Sequence, residues 1–424
     1  MSTKIKNALP ELVENGIITT EIAQNIIAYY DRSKEENSNR LFTIFGIIGA
    51  TLVGLGIILI MAHNWDTLPR FVKLILAFLP MLLGQAALGY SILKNKENTW
   101  KEAATVFLFF SVGACIALVS QIYHIPGAIE SFLLMWICLC LPLLYVTKSK
   151  AIIFLHLIFC TYYAMVTGYE RDIQTSPFLY FVLLAIGIPR YVQLAKQKIP
   201  SAATYILHWL FPASIIIALP ICVQRSPQIT YFLYMCLFGF FLNIGYIPYF
   251  KNKSLLQNGY KVIGTLGTIV LLLIVSFHDI WSFSFSKSQT DLIEIISAFS
   301  IFILASLVFS LNNYRQKFLE VKPLQVVFLI FTVIFLLGPT NTGFAVVLIN
   351  MLLFGLGILH IKMGVDKVHF GYLNLGMFII AALIVCRFYD TDINFAIRGI
   401  IFLIIGIGFF ITNYIMLKKQ KTQQ

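Results

Sequence analysis

From residue 41 to the C-terminal end, long apolar runs alternate with short polar stretches. The runs fall at 41–62, 74–93, 103–122, 131–147, 151–169, 176–195, 201–224, 226–250, 254–277, 292–314, 323–338, 342–361, 368–386 and 393–417. Most approach the roughly 20 residues that cross a 30 Å hydrocarbon layer as a helix. The pattern predicts an all-α protein, a polytopic transmembrane helix bundle of about 14 spans. Two runs fit less well: 176–195 carries Arg190, and 323–338 is short.

The first 40 residues are polar and read as a short N-terminal cytosolic helical hairpin with a linker, leaving 41–424 as the transmembrane domain. Asn7 caps a helix bearing Leu9, Leu12 and Val13, with Pro10 in its first turn and Gly16 as its stop. Thr19 opens a second helix with Glu21 in its first turn and an apolar stripe of Ile22, Ile26 and Ile27. So short a unit has little core of its own, which suggests docking on a cytosolic protein partner; a topogenic tail is the plainer alternative. The first apolar run begins too late for a cleaved signal, so it reads as a retained anchor.

Charge adds a direction. With the N-terminus inside, 24 of the 31 Lys and Arg residues lie on one side of the membrane, and seven on the other. By the positive-inside rule both termini are cytoplasmic, in a bacterial cytoplasmic (inner) membrane. Removing one span would invert every later loop and destroy the alternation. The net charge of +12 is therefore topological, and no nucleic-acid partner is expected. Composition agrees: 59% hydrophobic and 12% charged residues leave too few charges to cover a water-soluble surface. The lipid bilayer is the first partner.

Within the runs, Gly46, Ala50 and Gly54 lie four apart on one helix face, suited to close helix approach. Pro80, Pro189, Pro212 and Pro248 are expected to kink their helices. The seven cysteines form no CxxC pair and read as packing residues; no metal or cofactor is implied. Phe45-Gly46-x-x-Gly49 and Ile263-Gly264-x-x-Gly267 echo each other, as do His63-Asn64-Trp65 and His278-Asp279-Ile280-Trp281. The echo reads as a weak repeat of 41–200 in 254–424, or as chance likeness between Gly-rich helices.

Candidate chemistry gathers at the outer helix ends. His63, Asn64, Trp65 and Asp66 precede Arg70 and Lys73; Gln121, Tyr123 and His124 close the third run; Arg387 and Asp390 close the thirteenth, with Arg398 opening the last. Arg70 with Lys73, Gln121 with His124, and Arg387 with Asp390 are each three apart and share a helix face. Arg70, Lys73, Arg387 and Arg398 are cations on the side where cations are scarce. An anionic small molecule or lipid headgroup would explain them, with Asn64, Trp65, Gln121, Tyr123, His124 and Asp390 completing a ligand-binding site. Snorkelling and local ion pairs are the bland alternative. No Asp or Glu falls near the middle of a run, which argues against a carboxylate-coupled pump. The remaining mid-depth polar residues, Gln85, His156, His208, Asn243, Asn350 and Asn374, suit interhelical hydrogen bonding. Soluble-enzyme motifs are missing and no catalytic residue is assigned; His63, Asp66 and His124 are weak acid–base candidates.

Several of these words resemble the domain of unknown function 2157 family of predicted bacterial membrane proteins. They are Gly16-Ile17-Ile18-Thr19, Ala62-x-Asn64-Trp65-Asp66, Gln121-Ile122-Tyr123-His124 followed by Trp136 and Pro142, and Arg387-Phe388-Tyr389-Asp390 with Arg398-Gly399. The resemblance covers roughly 10–150 and returns around 385–416. It implies a bacterial membrane protein with a short cytosolic segment, and no activity or cofactor. The leading functional expectation is a carrier or binding protein for an anionic or amphipathic small molecule at an outward site. The alternatives are an outer-leaflet enzyme acting on lipid-linked or envelope substrates, and a scaffold or sensor using the cytosolic hairpin.

Overall fold

In a bilayer every main-chain N–H and C=O must find its partner within the chain, so apolar runs become helices. The computed structural model describes residues 9–13, 15–17, 19–26, 44–56, 59, 68–169, 178–197, 201–222, 226–250, 253–281, 292–314, 321–390 and 395–423. Among them the regular elements are helical and no strand occurs. In chain order the main helices are α1 (Ile44–Gly56), α2 (Arg70–Leu93), α3 (Asn98–Ile122), α4 (Ile129–Val146), α5 (Ala151–Tyr169), α6 (Leu179–Ala195) and α7 (Ala202–Ala218). They continue with α8 (Pro227–Ile244), α9 (Gly259–Ile274), α10 (Leu292–Asn313), α11 (Pro323–Leu337), α12 (Thr342–Asp366), α13 (Phe370–Asp390) and α14 (Phe395–Gln423).

Eight of these, α2–α5, α8, α10, α12 and α13, are long and apolar enough to cross a membrane. The two runs singled out by sequence are helical but short. α6 has 17 residues and α11 has 15, a rise of about 22 Å for the latter. The N-terminal segment shows two short helical stretches, 9–13 and 20–26. Gly16 ends the first in the left-handed region at φ 66°, with the Ile17 N–H donating to the Leu12 carbonyl. Thr19 Oγ1 accepts from the Ile22 N–H at the start of the second. Asn7 lies outside the described residues.

The chain divides into two compact units. Unit 1 holds Met1–Val166 with Leu183–Gln193, and unit 2 holds Thr167–Val182 with Leu194–Gln424. In unit 1, α2 and α3 form a tight antiparallel pair, and α3 is the more buried of the two. Gly84 of α2 faces the Leu108 main chain, where an added Cβ would sit 3.1 Å from its Cα. Gly54 of α1 comes as close to Phe110, and Gly46 faces Thr99, as the small-residue face predicts. Trp136 of α4 fills the space left by Gly113 and donates its Nε1–H to the Phe109 carbonyl at 2.8 Å. Phe109, Phe110, Phe132 and Phe159 surround the indole.

A polar anchor of unit 1 is Glu102. Its carboxylate accepts from the Ser149 hydroxyl, the Lys150 N–H at 2.7 Å and the Ala151 N–H at 2.9 Å. These donors belong to the start of α5, which has no acidic residue in its own first turn. A carboxylate from α3 thus caps the positive end of α5. Beside it, Arg190 of α6 donates to the Lys148 carbonyl and to Gln193. His156 bonds the Leu183 carbonyl at 2.9 Å, joining α5 to α6.

In unit 2, α8 packs against α9, α10 and α11. Gly239 leaves room for Phe328, and Gly264 brings α9 onto the Leu242 main chain. Asn243 ties three helices together. Its Oδ1 accepts from Gln325 at 3.0 Å and its carbonyl from Asn312 at 2.6 Å. α8 stops at Ile244, so Pro248 opens a 3-10 turn rather than kinking a long helix as its run suggested. Pro80, Pro189 and Pro212 do lie inside helices. α12 and α13 form a second antiparallel pair, in which a Cβ on Gly376 would lie 2.6 Å from both the Gly357 carbonyl oxygen and the Ile361 nitrogen. Main chain cannot yield as a flexible side chain can. Gly376→Ala is therefore expected to lower the unfolding free energy by about 2 kcal/mol, read from unfolding midpoints in detergent. A midpoint equal to the parent's would show that the pair relaxes freely.

Candidate functional site

α2 opens directly after Pro69 with Arg70 and Lys73 in its first turn, which itself holds no acidic residue. Two cations at the positive end of a helix dipole are each disfavoured by about 0.3–1 kcal/mol. Main-chain pairing fixes this turn, since the Lys73 N–H donates to the Pro69 carbonyl. Arg70 is exposed and Lys73 half-buried. Ala77 packs with Leu118 and Ile122, flanked by Leu74, Leu76 and Val119, so the first turns of α2 lie against the last turn of α3.

α3 ends at Ile122, and His124 turns into the left-handed region at φ 50°. The Ile125 N–H returns to the Ser120 carbonyl at 2.9 Å, and the Ser120 hydroxyl donates to the Ile125 carbonyl. This closure is normally served by glycine; a Cβ there costs about 1–2 kcal/mol. The shared helix face expected for Gln121 and His124 is thereby corrected. His124 lies beyond the helix, because the terminal carbonyls of α3 are satisfied by the turn. Gln121, Tyr123 and His124 are all exposed. Arg70, Lys73, Gln121, Tyr123 and His124 thus gather at one end of the α2–α3 pair, beside the exposed apolar side chains of Phe71 and Ile125.

His63, Asn64, Trp65 and Asp66 lie outside the described residues, as do the side chains of Asp390 and Arg398. Arg387 belongs to unit 2, and its surroundings are clear. Its Nη2 donates to Ser276 Oγ at 3.0 Å, and its guanidinium lies 5.0 Å from the Phe277 ring centroid. Asn350 donates to the Ser276 carbonyl at 3.2 Å, and Trp281 Nε1 to the Val275 carbonyl at 2.6 Å. These side chains serve the carbonyl-rich end of α9, which Arg387 also suits by charge. Nearby, Gln228, Tyr231, Val275, Ile280, Trp281, Phe331 and Phe335 line a cavity of about 10 Å³. That volume admits no more than about one water molecule.

Of the mid-depth polar residues, His156, Asn243 and Asn350 bond to neighbouring helices or turns, and His208 lies 3.2 Å from the Tyr249 hydroxyl. Gln85 and Asn374 are exposed. Among the described residues no three His, Cys, Asp or Glu side chains converge as metal ligands would. Sequence reasoning missed Glu102 and Ser276. A basic start to α5 (Lys148-Ser149-Lys150) was the available sign that an acid from elsewhere is needed there. Ser276 carried no comparable sign.

No curated protein matches the chain, and no solved structure does. The likeness around 385–416 lies outside the matched stretch. That stretch, residues 10–153, runs from the first helical turn to the start of α5, includes Arg70, Lys73, Gln121, Tyr123 and His124, and matches the family described as Predicted membrane protein (DUF2157).

Proposed function

We propose that this protein is a membrane-embedded binding protein or carrier for an anionic, amphipathic small molecule. The ligand is taken at the α2–α3 end, which faces outward across the bacterial cytoplasmic membrane, with both termini and residues 1–40 in the cytosol. The charge alternation supports that orientation. One observation carries the reading of the site: Arg70 and Lys73 share a helix end with Gln121, Tyr123 and His124, next to exposed Phe71 and Ile125. Cations at the positive end of α2 favour an anionic head, and the apolar side chains favour a chain attached to it. His124, held in a costly backbone conformation, presents a hydrogen-bonding ring at a fixed place. Asn64 and Trp65, shortly before α2 in the chain, are proposed to complete the site.

Full-length protein in phosphatidylcholine nanodiscs, titrated with dodecyl phosphate, tests this reading. Arg70→Gln and His124→Ala are each expected to weaken binding about tenfold, the worth of one charge-assisted hydrogen bond, at unchanged folded yield. Affinities equal to the parent's for both variants would overturn it.

A further inference from the structure

Where α8 begins and α9 ends, unit 2 holds an apolar recess with an open hydrogen-bond acceptor. Gln228 stands in the first turn of α8 and is only 6% exposed. Its Oε1 is buried and accepts no hydrogen bond from any described residue. Gln228 lines the cavity of about 10 Å³ together with Val275, Trp281 and Phe331, which are buried. Tyr231 and Phe335 are half-buried and mark its more open side.

The walls are held in place. Pro227 sets the first position of α8, and the Ser226 carbonyl accepts from the Thr230 N–H at 3.2 Å. Trp281 is tied by its Nε1–H to the Val275 carbonyl. Phe335 stacks on Phe331 and on Phe232, with centroids 6.3 and 5.0 Å apart.

A buried amide oxygen without a donor is costly, and an apolar side chain of the same shape would avoid that cost. Gln228 therefore calls for an O–H or N–H group that the described residues do not supply. The volume limits the donor to a hydroxyl-sized group. A held water wants about two to four polar partners, whereas most of this lining is aromatic or aliphatic. A donor carried on an apolar body suits such walls better. An ammonium is disfavoured, because the Arg387 guanidinium sits on Ser276, the neighbour of Val275.

We infer that this recess binds the hydroxyl group of an aliphatic alcohol, the O–H donating to Gln228 Oε1 and the chain lying along Tyr231 and Phe335. The inference does not rest on the proposal for unit 1, which uses none of these residues.

The full-length protein labelled with 5-fluorotryptophan, in phosphatidylcholine nanodiscs, provides the test. Loss of one ¹⁹F signal in Trp281→Phe identifies the Trp281 resonance, which is then followed as 1-butanol is added. The expected result is a shift of that resonance that saturates, while the other tryptophan signals follow the bulk bilayer. Gln228→Leu, similar in shape but without the acceptor, should weaken the response about fivefold, the worth of one hydrogen bond. Gln85→Leu, which removes an exposed amide on α2, should leave it unchanged. 1-Chlorobutane, of similar size but with no O–H, should give no saturating shift in the parent protein. That comparison keeps the experiment decisive if Gln228→Leu folds poorly. Residues 223–225 and 282–291 lie outside the described residues. A donor from them, or a held water, would leave the Trp281 resonance without a saturating response to 1-butanol. That outcome, equal responses to the two probes, or an undiminished response in Gln228→Leu would overturn the inference.

Discussion

Glu102→Ala is expected to be among the most damaging single changes in this chain, lowering the unfolding free energy by about 3–5 kcal/mol. The carboxylate is buried and accepts three hydrogen bonds, two of them from main-chain N–H groups at the start of α5. Alanine leaves those donors unsatisfied and removes the charge that opposes the α5 dipole. It also removes a carboxylate whose charge favours the Arg190 guanidinium, which donates to the Lys148 carbonyl and Gln193. Glu102→Gln keeps the shape and one acceptor oxygen, so it should lose about half as much. Thermal or denaturant unfolding of both variants in detergent provides the comparison. A Glu102→Ala protein as stable as the parent would mean that the cap at α5 contributes nothing.

The second large effect is expected at Gly113. A methyl group there would collide with three atoms of the Trp136 indole, whose ring is enclosed by Phe109, Phe110, Phe132 and Phe159. Lipid chains are as apolar as the helix surfaces, so helix association here depends on close packing rather than on water release. Displacing the indole gives up that packing and the Nε1–H bond to the Phe109 carbonyl. Gly113→Ala should therefore lower stability by about 3 kcal/mol. Trp136→Phe loses the hydrogen bond, worth about 1 kcal/mol, but opens space for the methyl. The double variant should accordingly be more stable than the sum of the two single losses predicts, a coupling that unfolding midpoints of the four proteins can resolve. Strict additivity would show that Gly113 and Trp136 do not share one packing problem.

How far the sequence could be read depended on the range of the interaction. Helices such as α3 and α12 were legible because their apolar runs reflect a local demand, the satisfaction of main-chain groups within one segment. α6 and α11 were legible in position, and their shortness was visible in Arg190 and in the narrow 323–338 run. Helix ends were harder to place. The end of α3 depends on His124 accepting a conformation that glycine normally takes, and α8 stops before the proline expected to bend it. The gathering of Arg70 and Lys73 with Gln121 and His124 was half legible, since a short turn from Lys94 to Glu97 obliges α2 and α3 to pair antiparallel. Contacts between distant segments left no local trace. Glu102 finds its donors 47 to 49 residues away, and Arg387 reaches Ser276 across 111 residues.

The Glu102 cap also constrains the order of biogenesis. Its last donor is the Ala151 N–H, so a nascent chain that has released α3 but not yet the start of α5 carries an unsatisfied carboxylate at the membrane boundary. The N-terminal helices should stay loosely associated beside the insertion machinery until the start of α5 is released, and then lock together. The stretch 10–153 contains both halves of that lock.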